Sequence, residues 1–224
     1  MSKNLCLITS VVNTPNLPLS YISSRSIYTW KQRYEQTIQT LSSIKEKIPN
    51  VKIFLIECSE FKEDDEKYLI NNCDYYLNLY NNEKLQKNIF GVSKSLGEGT
   101  MTIQALNFII SNDIKFNNMF KISGRYFLSK KFDYNKFNNE NIVVKKIEGN
   151  INNIFTALYK LNEDDIVTFK IFLEKNIENM KNCIGYEILF GMYLKHINYK
   201  NVLFIDNYIG LKGYVSGCGS EYDG

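Results

Sequence analysis

Histidine is nearly absent: His196 is the only one in 224 residues, and the five cysteines Cys6, Cys58, Cys73, Cys183 and Cys218 contain no C-x-x-C pair. That scarcity argues against a zinc site, which draws on Cys and His at short spacing, and against most Ser- or Cys-based triads, which need a histidine to move protons. His196 lies near an expected helix end, where capping the last carbonyls is the commoner role. An odd number of widely spaced cysteines predicts reduced, mostly buried thiols and no disulfide framework. No apolar run is long enough for a membrane span. Leu5–Val12 is interrupted by Thr9 and Ser10, is followed by Asn-Thr-Pro-Asn without a small-residue cleavage site, and reads as a buried strand. No targeting signal is visible. Neither charge dominates, with 27 basic and 24 acidic residues for a net +3 and no basic block. A nucleic-acid partner is therefore not expected, and a nucleotide suits the chain better than a polynucleotide. Arginine is scarce: there are 24 lysines but only Arg25, Arg33 and Arg125.

What is present suffices for one sizeable core. Hydrophobic residues make up 44% and aromatics 14% of the chain, with no repeat and no Pro- or Ser-rich linker, so a single domain over 1–224 is expected. Strand and helix alternate, which predicts a mostly parallel α/β sheet covered on both faces. Strands are expected at Leu5–Val12, Val51–Ile56, Tyr75–Leu79, Met119–Ser123, Asn141–Ile147, Ile154–Tyr159 and Val202–Ile205. Helices are expected at 30–48, from the acidic run Glu60–Glu66 to Asn71, at Thr100–Ser111, Glu163–Met180 and Tyr186–His196. Residues 1–128 form the expected nucleotide-binding half and 129–224 an acceptor-side half on the same sheet. Gly210–Gly224 reads as irregular.

Residues 94–128 are the most informative segment. Lys94-Ser95-Leu96-Gly97-Glu98-Gly99-Thr100 reads as a glycine turn, Ala105 and Asn107 follow on a helix, and Lys121-Ile122-Ser123-Gly124-Arg125 ends a short strand. Gly97 and Gly99 admit positive φ and leave room for a ligand, and the helix start offers unpaired N–H groups to an anion. The alternative is a plain loop with Thr100 as N-cap. Ligands collect at the carboxyl ends of strands in such sheets, so Arg125 reads either as a phosphate fork or as half of a structural ion pair.

This ordered series resembles the nucleotide-sugar-binding half of GT-A glycosyltransferases, where a glycine-led helix with an Ala-x-Asn pair precedes a strand ending in Asp-x-Asp. The similarity is closest to small single-domain glycosyltransferase-like proteins of some large DNA viruses and bacterial polysaccharide clusters. The resemblance implies a GT-A-like, Rossmann-like fold with helices on both faces of a mixed, mostly parallel sheet. It also implies a nucleotide-diphosphate sugar donor, a glycan or other hydroxyl acceptor, and Mn2+ or Mg2+ held by the carboxylate pair. Here Ser123-Gly124-Arg125 stands at that position, so no metal ligand is assigned. The implied location is the cytoplasm, or the host cytoplasm for a viral protein.

Under this reading the diphosphate side comprises Lys94, Gly97, Gly99, Asn107, Ser123, Gly124 and Arg125, joined by Lys145 on the next strand. At most one of Lys145 and Lys146 faces the site, because successive strand residues alternate, and solvent exposure is their competing role. The base side comprises Thr9, Ser10, Asn13, Arg25 and Glu57, with Tyr80 nearby. Arg25 and Arg33 flank Tyr28 and Trp30, a mix suited to stacking on a base or gripping phosphate. The 17-residue segment Asn13–Thr29 is long enough to suggest a functional lid. Glu187, alone on an apolar helix, is the candidate catalytic base, with dipole complementation at the helix start as its alternative. Asp206 and Asp223 are further acids without a motif. A non-catalytic nucleotide- or glycan-binding protein on the same fold is the competing function. A nucleotidyltransferase is the third, although its glycine- and lysine-rich amino-terminal signature is missing.

Overall fold

The computed structural model describes residues 3–206, 208–215 and 219–224. The chain runs β1 (Asn4–Ser10), α1 (Trp30–Lys47), β2 (Val51–Glu57), α2 (Glu63–Asn71), β3 (Tyr75–Asn78), α3 (Glu83–Ile89), α4 (Lys94–Ser111), β4 (Asn118–Ser123) and β5 (Tyr126–Leu128). It continues with β6 (Ile142–Ile147), β7 (Asn150–Asn162), α5 (Ile166–Lys175), α6 (Ile177–Lys181), α7 (Tyr186–His196), β8 (Val202–Ile205), β9 (Leu211–Tyr214) and β10 (Glu221–Asp223). Seven strands form one sheet in the order β3-β2-β1-β4-β7-β6-β8. The first four are parallel, β7 runs antiparallel to both β4 and β6, and β8 is parallel to β6. β6, β7 and β8 thus extend the same sheet.

Alternation along the strands sets the two layers. Leu5 and Leu7 of β1 face α4, α5, α6 and α7, whereas Cys6 and Ile8 face α1 and α2. Every residue of β1 is buried, which is the signature of a central parallel strand. Thr29 opens α1 with a capping box, its hydroxyl accepting from Gln32 N while the Gln32 side chain accepts from Thr29 N.

Several elements differ from the sequence expectation. α4 begins at Lys94 under the N-cap Ser93, so the segment expected as a glycine turn is the first part of the helix. Its glycines serve close packing: an added Cβ at Gly97 would sit 2.8 Å from the Ile89 carbonyl oxygen, and one at Gly99 would overlap Met180 Sδ. The polar stretch after β3 contains the short helix α3. The expected 163–180 helix is a 3-10 turn at Glu163–Asp165 followed by α5 and α6, which meet at Asn176. β7 is longer than expected because Glu148 (φ 51°) and Gly149 (φ 73°) close a two-residue hairpin with β6. The expected irregular tail contains β9 and β10, which join β5 in a separate antiparallel three-stranded sheet. That small sheet covers the α1 face through Tyr126, Leu128 and Leu211. Cys6 and Cys58 are buried, Cys73 and Cys183 are half-buried, all four are free thiols, and Cys218 lies outside the described residues. Among the described residues no helix is long and apolar enough to cross a membrane.

Candidate functional site

The strand order turns at β1, which continues to β2 on one side and is joined by β4 on the other. The crevice beyond the carboxyl ends of β1 and β4 is therefore the topological switch point. Thr9 and Ser123 pair there in register, and Gly124 N donates to Thr9 O at 2.9 Å. Gly124 fits because an added Cβ would meet Ser10 Cβ at 2.9 Å. Ser10 Oγ shares a 3.1 Å hydrogen bond with Thr37 Oγ1, which also donates to Gly124 O. Ser10 and Gly124 thus belong to a buried tie between α1 and the strand ends.

Two adjoining hollows occupy this crevice. One, of about 250 Å3, is lined by Ser93, Lys94, Glu98, Ser123, Arg125, Thr156 and Glu187 among others. The second, of about 130 Å3, is lined by Arg25, Arg33, Lys94, Gly97, Glu98 and Arg125 among others. All three arginines of the chain therefore meet at one place. Arg125 donates to Tyr214 O at 2.8 Å and packs over the Tyr126 ring. Arg33 donates to Val11 O at 2.6 Å and to Ser26 Oγ at 3.3 Å. Burial, and then the Arg125 charge, push Arg33 down to about 9. It remains protonated at neutral pH. Among the described residues no carboxylate ion-pairs with either guanidinium, so the ion-pair alternative for Arg125 is not the arrangement found.

Arg25 is differently engaged. Its guanidinium donates to Leu17 O, Phe90 O and Gly91 O, tying the 13–29 segment to the α3–α4 connection. It acts as a latch, and its N–H groups are directed at backbone. Ser20 N donates to Val92 O at 3.1 Å and strengthens the same tie.

Other expected residues separate by position. Thr9 Oγ1 donates to Glu98 Oε1 at 3.1 Å beside the hollows. Asn13 lines a third hollow of about 310 Å3 with Trp30, Phe61 and Asp65, at the ends of β1 and β2. Glu57 is fully buried. Its Oε1 accepts from Val12 N at 3.0 Å, Cys58 N at 2.9 Å and Ser59 Oγ at 2.6 Å, and burial pushes the carboxyl above its ordinary range. It shapes the loop after β1 from below and is closed to a base. Lys145 donates to Tyr222 Oη at 3.0 Å against the small sheet and lines neither hollow. Asn107 lies thirteen residues beyond Lys94 on α4, about 20 Å along the helix. Gly99 faces Met180. Asp206 pairs with Lys146 at 2.8 Å, and Asp223 with Lys212 at 3.1 Å.

Residues that the sequence reading missed complete the centre. Lys121 is fully buried yet sits in β4; it pairs with Glu98 and donates to Ser123 Oγ at 2.9 Å and Thr156 O at 3.1 Å. Thr156 Oγ1 in turn donates to Glu187 Oε1 at 3.2 Å. The available signal was a charge inside Met119-Phe120-Lys121-Ile122, a buried stretch that requires a partner for it.

A divalent cation of the Mn2+ or Mg2+ type needs oxygen ligands. At the strand end it would meet Ser123, already bonded by an ammonium, and the Arg125 guanidinium, while Glu98 is neutralised by Lys121. The donor set present does not fit such a metal. A larger hollow, about 1010 Å3, opens at the opposite end of the sheet, but Asn, Asp and Glu dominate its lining and no cation contributes. It does not suit an anionic ligand.

No family model and no curated sequence matches the chain. Solved structures do. The glycosyltransferase GlyE of Streptococcus pneumoniae TIGR4 superposes with a TM-score of 0.54 at 10% identity, over 92% of this chain and 45% of that one. Core-mannan synthase A (CmsA/Ktr4) of Aspergillus fumigatus in its Mn/GDP form gives 0.54 at 8% identity, over 92% and 73%. A protein of Desulfovibrio desulfuricans G20 assigned as a nucleotide-diphospho-sugar transferase gives 0.52 at 9% identity, over 92% and 80%. The chain spans less than half the length of GlyE. What these likenesses share with the seven-stranded sheet and its switch-point crevice is architecture, and the chain has the GT-A fold.

Proposed function

We propose that the protein is a glycosyltransferase that moves a sugar from a nucleotide-diphosphate sugar onto a glycan or other hydroxyl acceptor. The observation that carries this reading is the convergence of Arg33 and Arg125, unmatched by any carboxylate ion pair among the described residues, beside Lys94 at the start of α4. Two guanidiniums held together repel each other, and a diphosphate placed between them converts that repulsion into attraction. The α4 amino terminus adds the positive end of its helix dipole. The likeness to sugar-nucleotide transferases supports the same ligand class.

The chemistry then follows from what each group can do. As the bond between the anomeric carbon and the diphosphate breaks, negative charge grows on the leaving oxygens, and Arg125, Arg33 and Lys94 are positioned to oppose it. The acceptor hydroxyl attacks that carbon, and its proton passes to Glu187, whose carboxylate is held by Thr156. The hollow of Trp30, Phe61 and Asn13 suits the nucleoside base, with the half-exposed Trp30 ring available for stacking. Four free thiols suit a reducing cytoplasm, where we place the protein.

The test is a thermal-shift screen with UDP, GDP, CMP and their sugars, each with and without manganese, followed by turnover of the stabilising donor. Stabilisation and acceptor-dependent release of the nucleoside diphosphate are expected, and turnover is expected to survive EDTA. Stabilisation without turnover for any acceptor class would make the chain a binding protein on a transferase fold, and release of pyrophosphate would make it a nucleotidyltransferase.

A further inference from the structure

Lys121 is a fully buried cation beside the switch point, and its hydrogen bonds are fully used. An ammonium has three N–H donors and no acceptor. Here three oxygens surround it: Glu98 Oε1, Ser123 Oγ at 2.9 Å and Thr156 O at 3.1 Å, with the Tyr159 ring 5.8 Å away. The consequence falls on Ser123. Because its oxygen accepts from Lys121, its own O–H hydrogen must point elsewhere. No other bond is made by that hydroxyl among the described residues, and Ser123 lines the 250 Å3 hollow that Arg125 also enters. Glu98, which could have offered a carboxylate to the hollow, has its Oε1 occupied by Lys121 and Thr9.

We propose that Lys121 is a positioning residue that converts this strand end from a cation site into an anion-donor site: it orients Ser123 so that the hydroxyl donates to a phosphate oxygen of the bound nucleoside diphosphate. A metal-binding strand end offers oxygens that accept. This one offers a hydrogen. The buried ammonium supplies the fixed positive charge behind it, and by holding Thr156 O it also fixes the strand whose hydroxyl bonds Glu187. Lys121 itself touches no ligand, because no part of it reaches the surface.

The inference rests on the donor-binding reading above, and the experiment separates the two. UDP and GDP are titrated calorimetrically against the wild type, Ser123→Ala and the double variant Lys121→Met/Ser123→Asp, each with EDTA and with saturating Mn2+. The wild type is expected to bind the metal-free diphosphate at least as tightly as the Mn2+ complex. Ser123→Ala, which removes one surface-facing hydroxyl and threatens the fold little, should weaken metal-free binding by about tenfold or more, as expected for a lost bond to a charged group. The double variant should invert the preference, binding only with Mn2+, which a purely structural lysine would not bring about. Should the double variant not fold, Ser123→Ala decides alone. Wild-type binding that requires Mn2+, or unchanged metal-free affinity in Ser123→Ala, overturns the inference and leaves the donor-binding reading intact. Absence of binding under every condition overturns both.

Discussion

Arg33 of α1 and Arg125, just after β4, face one hollow, no carboxylate among the described residues ion-pairs with either, and the Arg125 charge disfavours that of Arg33. In an unliganded protein such a pair costs stability; with an anion between the guanidiniums it becomes a binding site. A nucleoside diphosphate at a hundred times its dissociation constant should therefore stabilise the protein by about 2.7 kcal/mol. Arg125→Ala should lose most of that gain while its unliganded melting temperature stays near wild type, since relief of repulsion offsets the lost bond to Tyr214 O. Unfolding of the variant, with no ligand shift in the wild type, would make Arg125 a structural residue.

Glu187 has two readings that one substitution separates. Its Oε1 accepts from Thr156, and its Oε2 lies back toward Gly185 at the start of α7, 3.3 Å from where a Cβ on that residue would be. As the base, Glu187→Gln should slow transfer by about a hundredfold to ten-thousandfold with donor affinity unchanged. As a helix-start carboxylate, it should cost about 0.3–1 kcal/mol of stability and leave the rate of the folded fraction alone. Turnover and urea melts on the same sample distinguish the outcomes.

Gly97 tests whether α4 opens with a ligand cradle or with a packed helix. An added methyl meets the Ile89 carbonyl, which is backbone and cannot swing away. Gly97→Ala is expected to lower stability by about 1–3 kcal/mol through overpacking. The folded fraction should bind nucleoside diphosphate as the wild type does. A variant that keeps its stability and loses binding would restore the cradle.

Glu57 links the loop after β1 to pH. Burial raises its carboxyl above the ordinary value of 4.5, opposed first by the Ser59 hydroxyl. A raised carboxyl holds its proton more tightly in the folded than in the unfolded chain. Its contribution is therefore fully present below 4.5 and is lost as pH rises through the folded value. Glu57→Gln keeps an oxygen for the Val12 and Cys58 amides and removes this dependence. Measured from pH 4 to 8, the variant should gain on the wild type as pH rises. A constant difference between the two would mean that the amide bonds hold the ionised form as well as the proton does.

The alternation of strands and helices was legible because it is local. Leu5 to Ile8 alternate faces, Leu41 and Ile44 repeat at helical spacing, and the strand ending at Ser123 is a short apolar run beside a glycine and an arginine. The small sheet was not legible, since β5, β9 and β10 have three or four residues each and β5 joins β9 across more than 80 positions. The glycines of α4 misled for the same reason. A sequence shows that a Cβ is missing, and only the fold shows whether a ligand, a carbonyl or a methionine fills the space.

The sequence by itself determined the α/β architecture and the lack of a carboxylate pair at Ser123-Gly124-Arg125, where β4 ends, because periodicity and residue chemistry act within a few positions. Tertiary structure decided which side chains meet there. It brought Arg33 from α1 to Arg125, turned Arg25 and Glu57 to backbone groups, sent Lys145 to Tyr222, and enclosed Lys121 between Glu98, Ser123 and Thr156. Such partnerships depend on register and helix rotation, and a one-residue slip in a strand would send each side chain to the other face.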